Sequence, residues 1–249
     1  MTKVFAFFLS CIVMLIGAVE VQGQVGRESG LWNWTDNADH HKSIVQVTAG
    51  EGTGTGVIIA VDSSKAVKDG HEGYCLTAWH VVQHHLDGNE ISITYRNGRK
   101  AKKCKVVQSD QARDVAIVWV WVPNDIPSAK IANDSIKSGD RLEFCGLGGG
   151  SDVSCCVRHF AGTASSPSTL DRIFADVPLL PGDSGGPVFN QNREVVGIIS
   201  GGWFWYDGGI TTSNGSSIRT TWPARASNVE PIKSLMAKVE DESTVRYEP

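Results

Sequence analysis

The stretch Pro181-Gly182-Asp183-Ser184-Gly185-Gly186-Pro187 decides how this chain of 249 residues is interpreted. A nucleophilic serine has to stand on a tight turn, where backbone N–H groups can converge on the oxygen of the carbonyl that it attacks. Gly182 permits such a bend, so that its own N–H and that of Ser184 would form an oxyanion hole. Gly185 and Gly186 would leave room for a substrate backbone. The stretch therefore predicts an acyl-transfer site with Ser184 as the nucleophile.

Two further segments supply partners for this serine. Thr77-Ala78-Trp79-His80 ends in a histidine that can act as general base, and Asp114 opens the apolar stretch Asp114-Val115-Ala116-Ile117, where it can hold the imidazole tautomer. The chain order is His, Asp, Ser. The alternatives are a buried structural histidine at position 80 and a simple strand-edge charge at position 114. We expect a triad of His80, Asp114 and Ser184.

Composition and charge restrict the class of protein and its partners. Hydrophobic residues make up 41% of the chain and charged residues 20%, which excludes a disordered chain and a coiled coil. The net charge of −4 is spread without long runs of one sign, so neither nucleic acid nor an anionic membrane is an expected partner. His80, His84 and His85 lack the paired carboxylate of a zinc-protease helix. No metal and no cofactor is expected.

The strand pattern predicts an all-β fold with two similar halves. Short apolar stretches separated by Gly, Asp and Asn predict one antiparallel β-barrel over 43–122 and a second over 139–226, joined by a surface connection over 123–138. Four apolar residues then recur at helical spacing: Val229, Ile232, Leu235 and Val239. They predict a C-terminal helix over 227–239, followed by a tail over 240–249.

The N-terminus has the pattern of a secretory signal peptide. Lys3 precedes sixteen uncharged residues, and small residues follow them, which predicts a signal peptide over 1–23 with cleavage near Gly23. The uncharged run is shorter than a membrane-spanning helix requires, so no stable anchor is expected after cleavage. A polar leader over 24–42 would follow, with His40 and His41 in solvent. The mature protein is expected to be secreted, into the periplasm or outside the cell.

Export permits disulfides, and strand alternation suggests one. Arg141, Glu143 and Cys145 share the polar face of one predicted strand. Ser154, Cys156 and Arg158 share the polar face of the next, which is predicted to begin at Val153. Cys145–Cys156 is therefore the disulfide candidate. Five mature cysteines are an odd number, so at least one of them is unpaired or pairs between chains. The alternative in which all five are reduced stays open.

The serine, histidine and aspartate motifs together resemble those of the trypsin/chymotrypsin-type serine endopeptidases. The chain is most similar to the HtrA-like (trypsin-2) branch, without a PDZ domain. Gly54-Thr55-Gly56-Val57-Ile58-Ile59 and Asp176-Val177-Pro178-Leu179-Leu180 add to the resemblance, which covers roughly 43–239. It implies two six-stranded barrels of the trypsin-like type, with the site in the cleft between them.

The resemblance also implies an acyl-enzyme mechanism and a set of substrate contacts. His80 would take the proton of Ser184, Asp114 would stabilise the imidazolium, and the Gly182 and Ser184 N–H groups would bind the oxyanion. Ser200 and Gly202 would pair with the backbone of a protein or peptide substrate.

The specificity pocket departs from that of a trypsin. Pro178 stands six residues before Ser184, where a trypsin has Asp, so cleavage after Arg or Lys is not expected. Leu179, Leu180 and the open Gly201-Gly202 wall indicate a pocket for apolar or small side chains. No Ile-Val-Gly-Gly start is present, which leaves the role of Asp183 open.

Two other functions remain open at this point. A trypsin-fold binding protein would use the cleft without turnover, and an esterase would use the same triad on simple esters. The aromatic run Trp203-Phe204-Trp205-Tyr206, beside the predicted pocket wall, is either a substrate-binding rim or local packing.

Overall fold

Two antiparallel sheets and one C-terminal helix make up the part of the chain that the computed structural model describes. This part is 38–245 without 68, 88–89, 151–152, 155–156, 166–167 and 212–216. For 60–67, 150, 203–211, 217–223 and 240–245 it describes the backbone only. The predicted signal peptide therefore lies outside the described residues.

The first sheet has seven strands in the order β5-β4-β1-β2-β3-β7-β6, and all its neighbouring strands are antiparallel. Its strands are β1 (Ile44–Ala49), β2 (Gly52–Val67), β3 (Gly70–Thr77), β4 (Ile91–Thr94), β5 (Lys100–Lys102), β6 (Lys105–Asp110) and β7 (Val115–Pro123). The apolar side chains of β1, β3 and β7 that the sequence pattern predicts to be inside are buried. Hydrophobic burial of these strands stabilises the half of the molecule that carries His80 and Asp114.

The second sheet has six strands in the order β10-β13-β12-β11-β8-β9. Its strands are β8 (Arg141–Gly146), β9 (Arg158–Thr163), β10 (Arg172–Ala175), β11 (Pro187–Phe189), β12 (Val195–Thr211) and β13 (Ser217–Asn228). The strands β12 and β13 form a long antiparallel ribbon, with Gly201 opposite Arg225. This half of the molecule carries Ser184 on the turn before β11.

Two α-helices and two short 3₁₀ helices complete the described fold. Helix α1 (Trp79–Val82) follows β3, and helix α2 (Val229–Val245) follows β13. The 3₁₀ segments are Asp39–Ser43 and Gly148–Gly150. Among these described helices, none is both long and apolar enough to cross a membrane.

The C-terminal helix connects the two sheets. Its predicted apolar face is buried, as the four residues at helical spacing show: Val229, Ile232, Leu235 and Val239. The helix contacts β6 and β7 of the first sheet and β12 and β13 of the second. At its start, the Asn228 side-chain oxygen accepts the Val229 N–H at 2.8 Å and the Ile136 N–H at 3.2 Å. Packing of one apolar face on both sheets helps to hold the cleft between them.

The predicted fold class, an all-β fold of two antiparallel units with a C-terminal helix, is confirmed, with local differences. Asn97-Gly98 turns the chain from β4 into the three-residue strand β5, so the first sheet has seven strands instead of six. The strand predicted to begin at Val153 begins at Arg158. The connection over 123–138 is only partly a surface segment, because Ile136 is among its buried residues.

The predicted solvent exposure of His40 and His41 is wrong. Both lie in the 3₁₀ segment before β1, and the side chains of His40 and His41 are 6% and 1% exposed. Both contact Glu143 of β8, which is itself fully buried. A charged residue inside a strand was expected to face solvent, but the histidines supply hydrogen-bond partners that allow it to be buried.

The predicted Cys145–Cys156 disulfide rested on the assumption that Cys145 lies on a polar face of its strand. Cys145 shares its face with Glu143, and that face is buried. Cys145 has a free thiol, 3.6 Å from His41 Nε2. Cys156 lies outside the described residues. The disulfide is therefore not formed in this structure.

Candidate active site

His80 and Asp114 form a close pair at the edge of the first sheet. His80 lies in the first turn of α1, and Asp114 ends the turn that leads into β7, with φ at +57°. His80 Nδ1 lies 2.9 Å from Asp114 Oδ2 and 3.0 Å from Oδ1. Asp114 Oδ1 also accepts the backbone N–H of His80 at 2.9 Å. Since a carboxylate only accepts, Nδ1 carries the proton, and Nε2 is left to receive one.

Ser184 lies on a turn whose glycines are required by their surroundings. Gly182 and Gly185 have φ of +98° and +86°, where side chains are strained. A Cβ at position 185 would collide with the Thr55 carbonyl oxygen. The Ser184 carbonyl accepts the Thr55 N–H at 2.8 Å, which joins the turn to β2. Ser184 and His80 line the same cavity, of about 240 Å³. The structure therefore brings all three predicted triad residues to one cleft.

Thr55 is a positioning residue that the sequence argument did not identify. Its fully buried hydroxyl donates to the Gly182 carbonyl at 2.7 Å and accepts the Leu147 N–H at 3.0 Å. One side chain of the first sheet thus holds the turn that carries the expected oxyanion donors. The only sequence signal for it is its place in Gly54-Thr55-Gly56.

Asp183 has a buried cation as its partner. Arg158 Nη1 of β9 lies 3.0 Å from Asp183 Oδ2, and the Gly148 and Leu180 N–H groups donate to the same carboxylate at 2.8 and 2.7 Å. Burial raises the pKa of the Asp183 carboxyl and lowers the pKa of the Arg158 guanidinium. Their ion pair acts against both shifts and favours both charged forms. Arg158 is thus the charge partner of Asp183, a residue whose role the sequence left open.

Five of the predicted specificity residues line the cavity with His80 and Ser184: Leu179, Leu180, Ser200, Gly201 and Gly202. Pro178 is exposed and is not among the residues that line this cavity. Its place in the substrate-binding pocket stays a prediction. The aromatic side chains of 203–206 lie outside what the structure describes.

Two arginines beside His80 were missed by the sequence argument. Arg172 Nη1 donates to the Arg113 carbonyl at 2.9 Å and to Ser200 Oγ at 3.4 Å, and Nη2 donates to the Ala112 carbonyl. Arg172 therefore ties the Asp114 turn to β12. Arg225 lines the cavity of Ser184 and a neighbouring one above Asp114. Among the described residues Arg225 has no carboxylate partner, and its Nε is buried without an acceptor.

A family model agrees with this architecture. Residues 54–198 match the model described as the trypsin-like peptidase domain. The match includes the histidine, aspartate and serine of the cleft, together with Thr55 and Arg158.

Curated relatives match the same part of the chain. The probable periplasmic serine endoprotease DegP-like of Pseudomonas fulva is 36% identical over 151 residues, which are 59% of this chain and 28% of the relative. The probable periplasmic serine protease do/HhoA-like of Haemophilus influenzae is 33% identical over 154 residues, 59% of this chain and 30% of the relative. The chain thus matches less than a third of the length of these relatives.

Solved structures share the fold at low sequence identity. The serine endoprotease from Yersinia pestis has a TM-score of 0.53 and 22% identity, covering 81% of this chain and 62% of the other. The active form of the Rv3671c protease from M. tuberculosis has a TM-score of 0.54 and 19% identity, covering 80% and 82%. Identities this low support the fold alone.

Proposed function

Because this chain belongs to the trypsin-like peptidase family, we propose that it is a serine endopeptidase of the HtrA/DegP type with His80, Asp114 and Ser184 as its triad. One observation carries the proposal. The His80 Nδ1–Asp114 contact of 2.9 Å leaves Nε2 as the proton acceptor, and His80 shares its cavity with Ser184. A general base that is oriented by a carboxylate and placed beside a serine is what an activated nucleophile requires.

The mechanism follows from these positions. His80 Nε2 takes the proton of Ser184 Oγ while Oγ attacks the carbonyl carbon of the scissile bond. The N–H groups of Gly182 and Ser184 stabilise the oxyanion. His80 then gives the proton to the leaving amine, and an acyl-enzyme ester forms on Ser184. Water, activated by the same histidine, hydrolyses the ester and restores the serine.

The proposed location is the periplasm or the space outside the cell. The signal-peptide pattern over 1–23 supports it, and so do the names of the relatives, which describe them as periplasmic. The substrates would be proteins or peptides of that compartment.

The test of the proposed activity compares peptide bonds with simple esters. We expect the purified chain to cut an unfolded, carboxymethylated protein into peptides that mass spectrometry identifies, with the Ser184→Ala chain, purified in the same way, as the blank. Hydrolysis of esters without any peptide cleavage would favour an esterase. Binding of peptides without turnover would favour a binding protein. Either result overturns the proposal.

We further propose that the enzyme prefers substrates with a small or apolar side chain in the primary pocket and an acidic side chain next to it. Leu179, Leu180, Gly201 and Gly202 supply an apolar wall with open space beside Ser184. Arg225 adds a cation that no described carboxylate neutralises. An acidic substrate side chain on the N-terminal side of the scissile bond would supply the missing charge.

Reversing the charge at position 225 should therefore reverse a preference. For matched peptides that differ in Glu or Lys on the N-terminal side of the cleavage site, Arg225→Glu should shift the kcat/KM ratio toward Lys by more than about tenfold. A partly exposed charge pair contributes about 0.5 kcal/mol, and the reversal changes the sign of this interaction for both peptides. Arg193→Glu makes the same change in net charge on an exposed turn and should leave the ratio unchanged. Equal ratios for both variants would show that Arg225 does not contact the substrate.

A further inference from the structure

Three imidazoles surround one buried carboxylate, and the cluster does not line the cavity of Ser184. Glu143 Oε2 lies 2.8 Å from His40 Nε2, and Glu143 Oε1 lies 2.9 Å from His41 Nε2 and 3.3 Å from His159 Nδ1. Glu143 is fully buried, and the side chains of the three histidines are at most 14% exposed. A carboxylate removed from water this completely needs a compensating charge.

A thiol joins the same cluster. Cys145 lies two residues after Glu143 on β8, opposite His159 of β9, and its Sγ is 3.6 Å from His41 Nε2. The donor atoms of His40, His41 and Glu143 all lie within 4.8 Å of one another. Two nitrogen donors from a 3₁₀ segment and a carboxylate from β8 therefore converge on one point. Cys145 Sγ adjoins this group through His41, and a shift of its side chain would bring it to the same ion.

The spacing of these donors fits one metal ion. Two ligand atoms bound tetrahedrally to the same Zn²⁺ at about 2.0–2.3 Å are about 3.3–3.7 Å apart. The Cys145 Sγ–His41 Nε2 separation of 3.6 Å lies in this range, and the contacts of Glu143 with His40 and His41, at 2.8 and 2.9 Å, are shorter hydrogen-bond distances. Small side-chain shifts within the cluster would admit the ion.

The charges of the cluster also fit a dication. With neutral histidines, the form that binds a metal, the charge of Glu143 is uncompensated, whereas one protonated histidine would balance it without a metal. A divalent ion bound by one carboxylate and one thiolate gives a total charge of zero.

We propose that His40 Nε2, His41 Nε2, the Glu143 carboxylate and Cys145 Sγ form a structural zinc site. Imidazole and thiolate donors favour zinc over magnesium or calcium. His159 would orient the carboxylate from outside the ligand set, as second partners of zinc ligands commonly do. The ion would fasten the segment before β1 to β8 of the second sheet. This site is independent of the proposed peptidase activity.

Metal content and cobalt spectroscopy test the site without any measurement of activity. The native chain, loaded with Zn²⁺ and desalted, should retain one zinc ion per chain by mass spectrometry, and its melting temperature should fall when a chelator removes the ion. Co²⁺ in the same site should give an intense near-ultraviolet band from cobalt–thiolate charge transfer. Cys145→Ser should remove this band and weaken zinc retention while keeping the fold.

His84→Ala is the matched control, because it removes an exposed histidine from a turn and should change neither zinc content nor the cobalt band. A native chain that retains no zinc and melts at the same temperature with and without a chelator would overturn the proposal. A thiolate band that survives in Cys145→Ser would also overturn it. The cluster would then be a hydrogen-bonded one only.

Discussion

Replacing Ser184 with alanine is expected to lower kcat for peptide hydrolysis about 10⁶-fold, because alanine has no hydroxyl to form the proposed acyl-enzyme. The His80–Asp114 pair does not depend on the Ser184 hydroxyl in the structure, so the free energy of unfolding should change by less than about 1 kcal/mol. The kinetics are measured on the peptides identified in the digestion of the unfolded protein.

Ser138→Ala is the control for this substitution, since Ser138 is an exposed serine of the connection between the sheets. It should keep both activity and stability. A folded Ser184→Ala chain that retains more than about 1% of the native kcat would contradict the assignment of the nucleophile.

Replacing Arg158 with methionine is the second prediction with a large effect. The substitution leaves the Asp183 carboxylate, which is only 2% exposed, without its cation. Breaking a buried ion pair in this way costs about 3–5 kcal/mol, so urea unfolding should show a loss of stability in that range. Activity should fall as well, because Asp183 holds the Gly148 and Leu180 N–H groups around the turn of Ser184.

A second substitution distinguishes the effect of leaving Asp183 as an unpaired buried charge from a general effect of changing residue 158. Arg158→Met combined with Asp183→Asn removes both charges and should recover part of the lost stability, giving a coupling energy of more than about 1 kcal/mol. Arg141→Met, on the exposed end of β8, is the matched control and should cost less than about 1 kcal/mol. Additive effects of the single substitutions at 158 and 183 would show that the pair does not act as one unit.

The residues that the sequence identifies best are those whose chemistry depends on local motifs. The turn around Ser184 is recognisable because its glycines must adopt positive φ, and His80 and Asp114 are recognisable from their order along apolar strands. The family resemblance then places them in one cleft. The apolar stretches that predict β1 and β7 also contain most of the buried residues of these strands.

The residues that the sequence argument misplaced have partners far away in the chain. Glu143 was assigned to a polar face because alternation cannot reveal the histidines, about 100 residues away in the chain, that hydrogen-bond to it. Arg158 was treated as a surface residue because its partner Asp183 lies 25 residues further along, on another element. Arg225 reaches the cleft from β13, opposite Gly201 of β12. Such long-range pairings are set by topology and not by local pattern.

The central claim is that the His80–Asp114 pair activates Ser184, and labelling with a fluorophosphonate tests it most directly. The probe reacts with a serine hydroxyl only when a base and an oxyanion hole assist it, so the folded native chain should gain the mass of a single adduct. Peptide mapping should place the adduct on Ser184, and the Ser184→Ala chain should remain unlabelled. A folded native chain that gains no adduct, or an adduct that survives in Ser184→Ala, would contradict the claim.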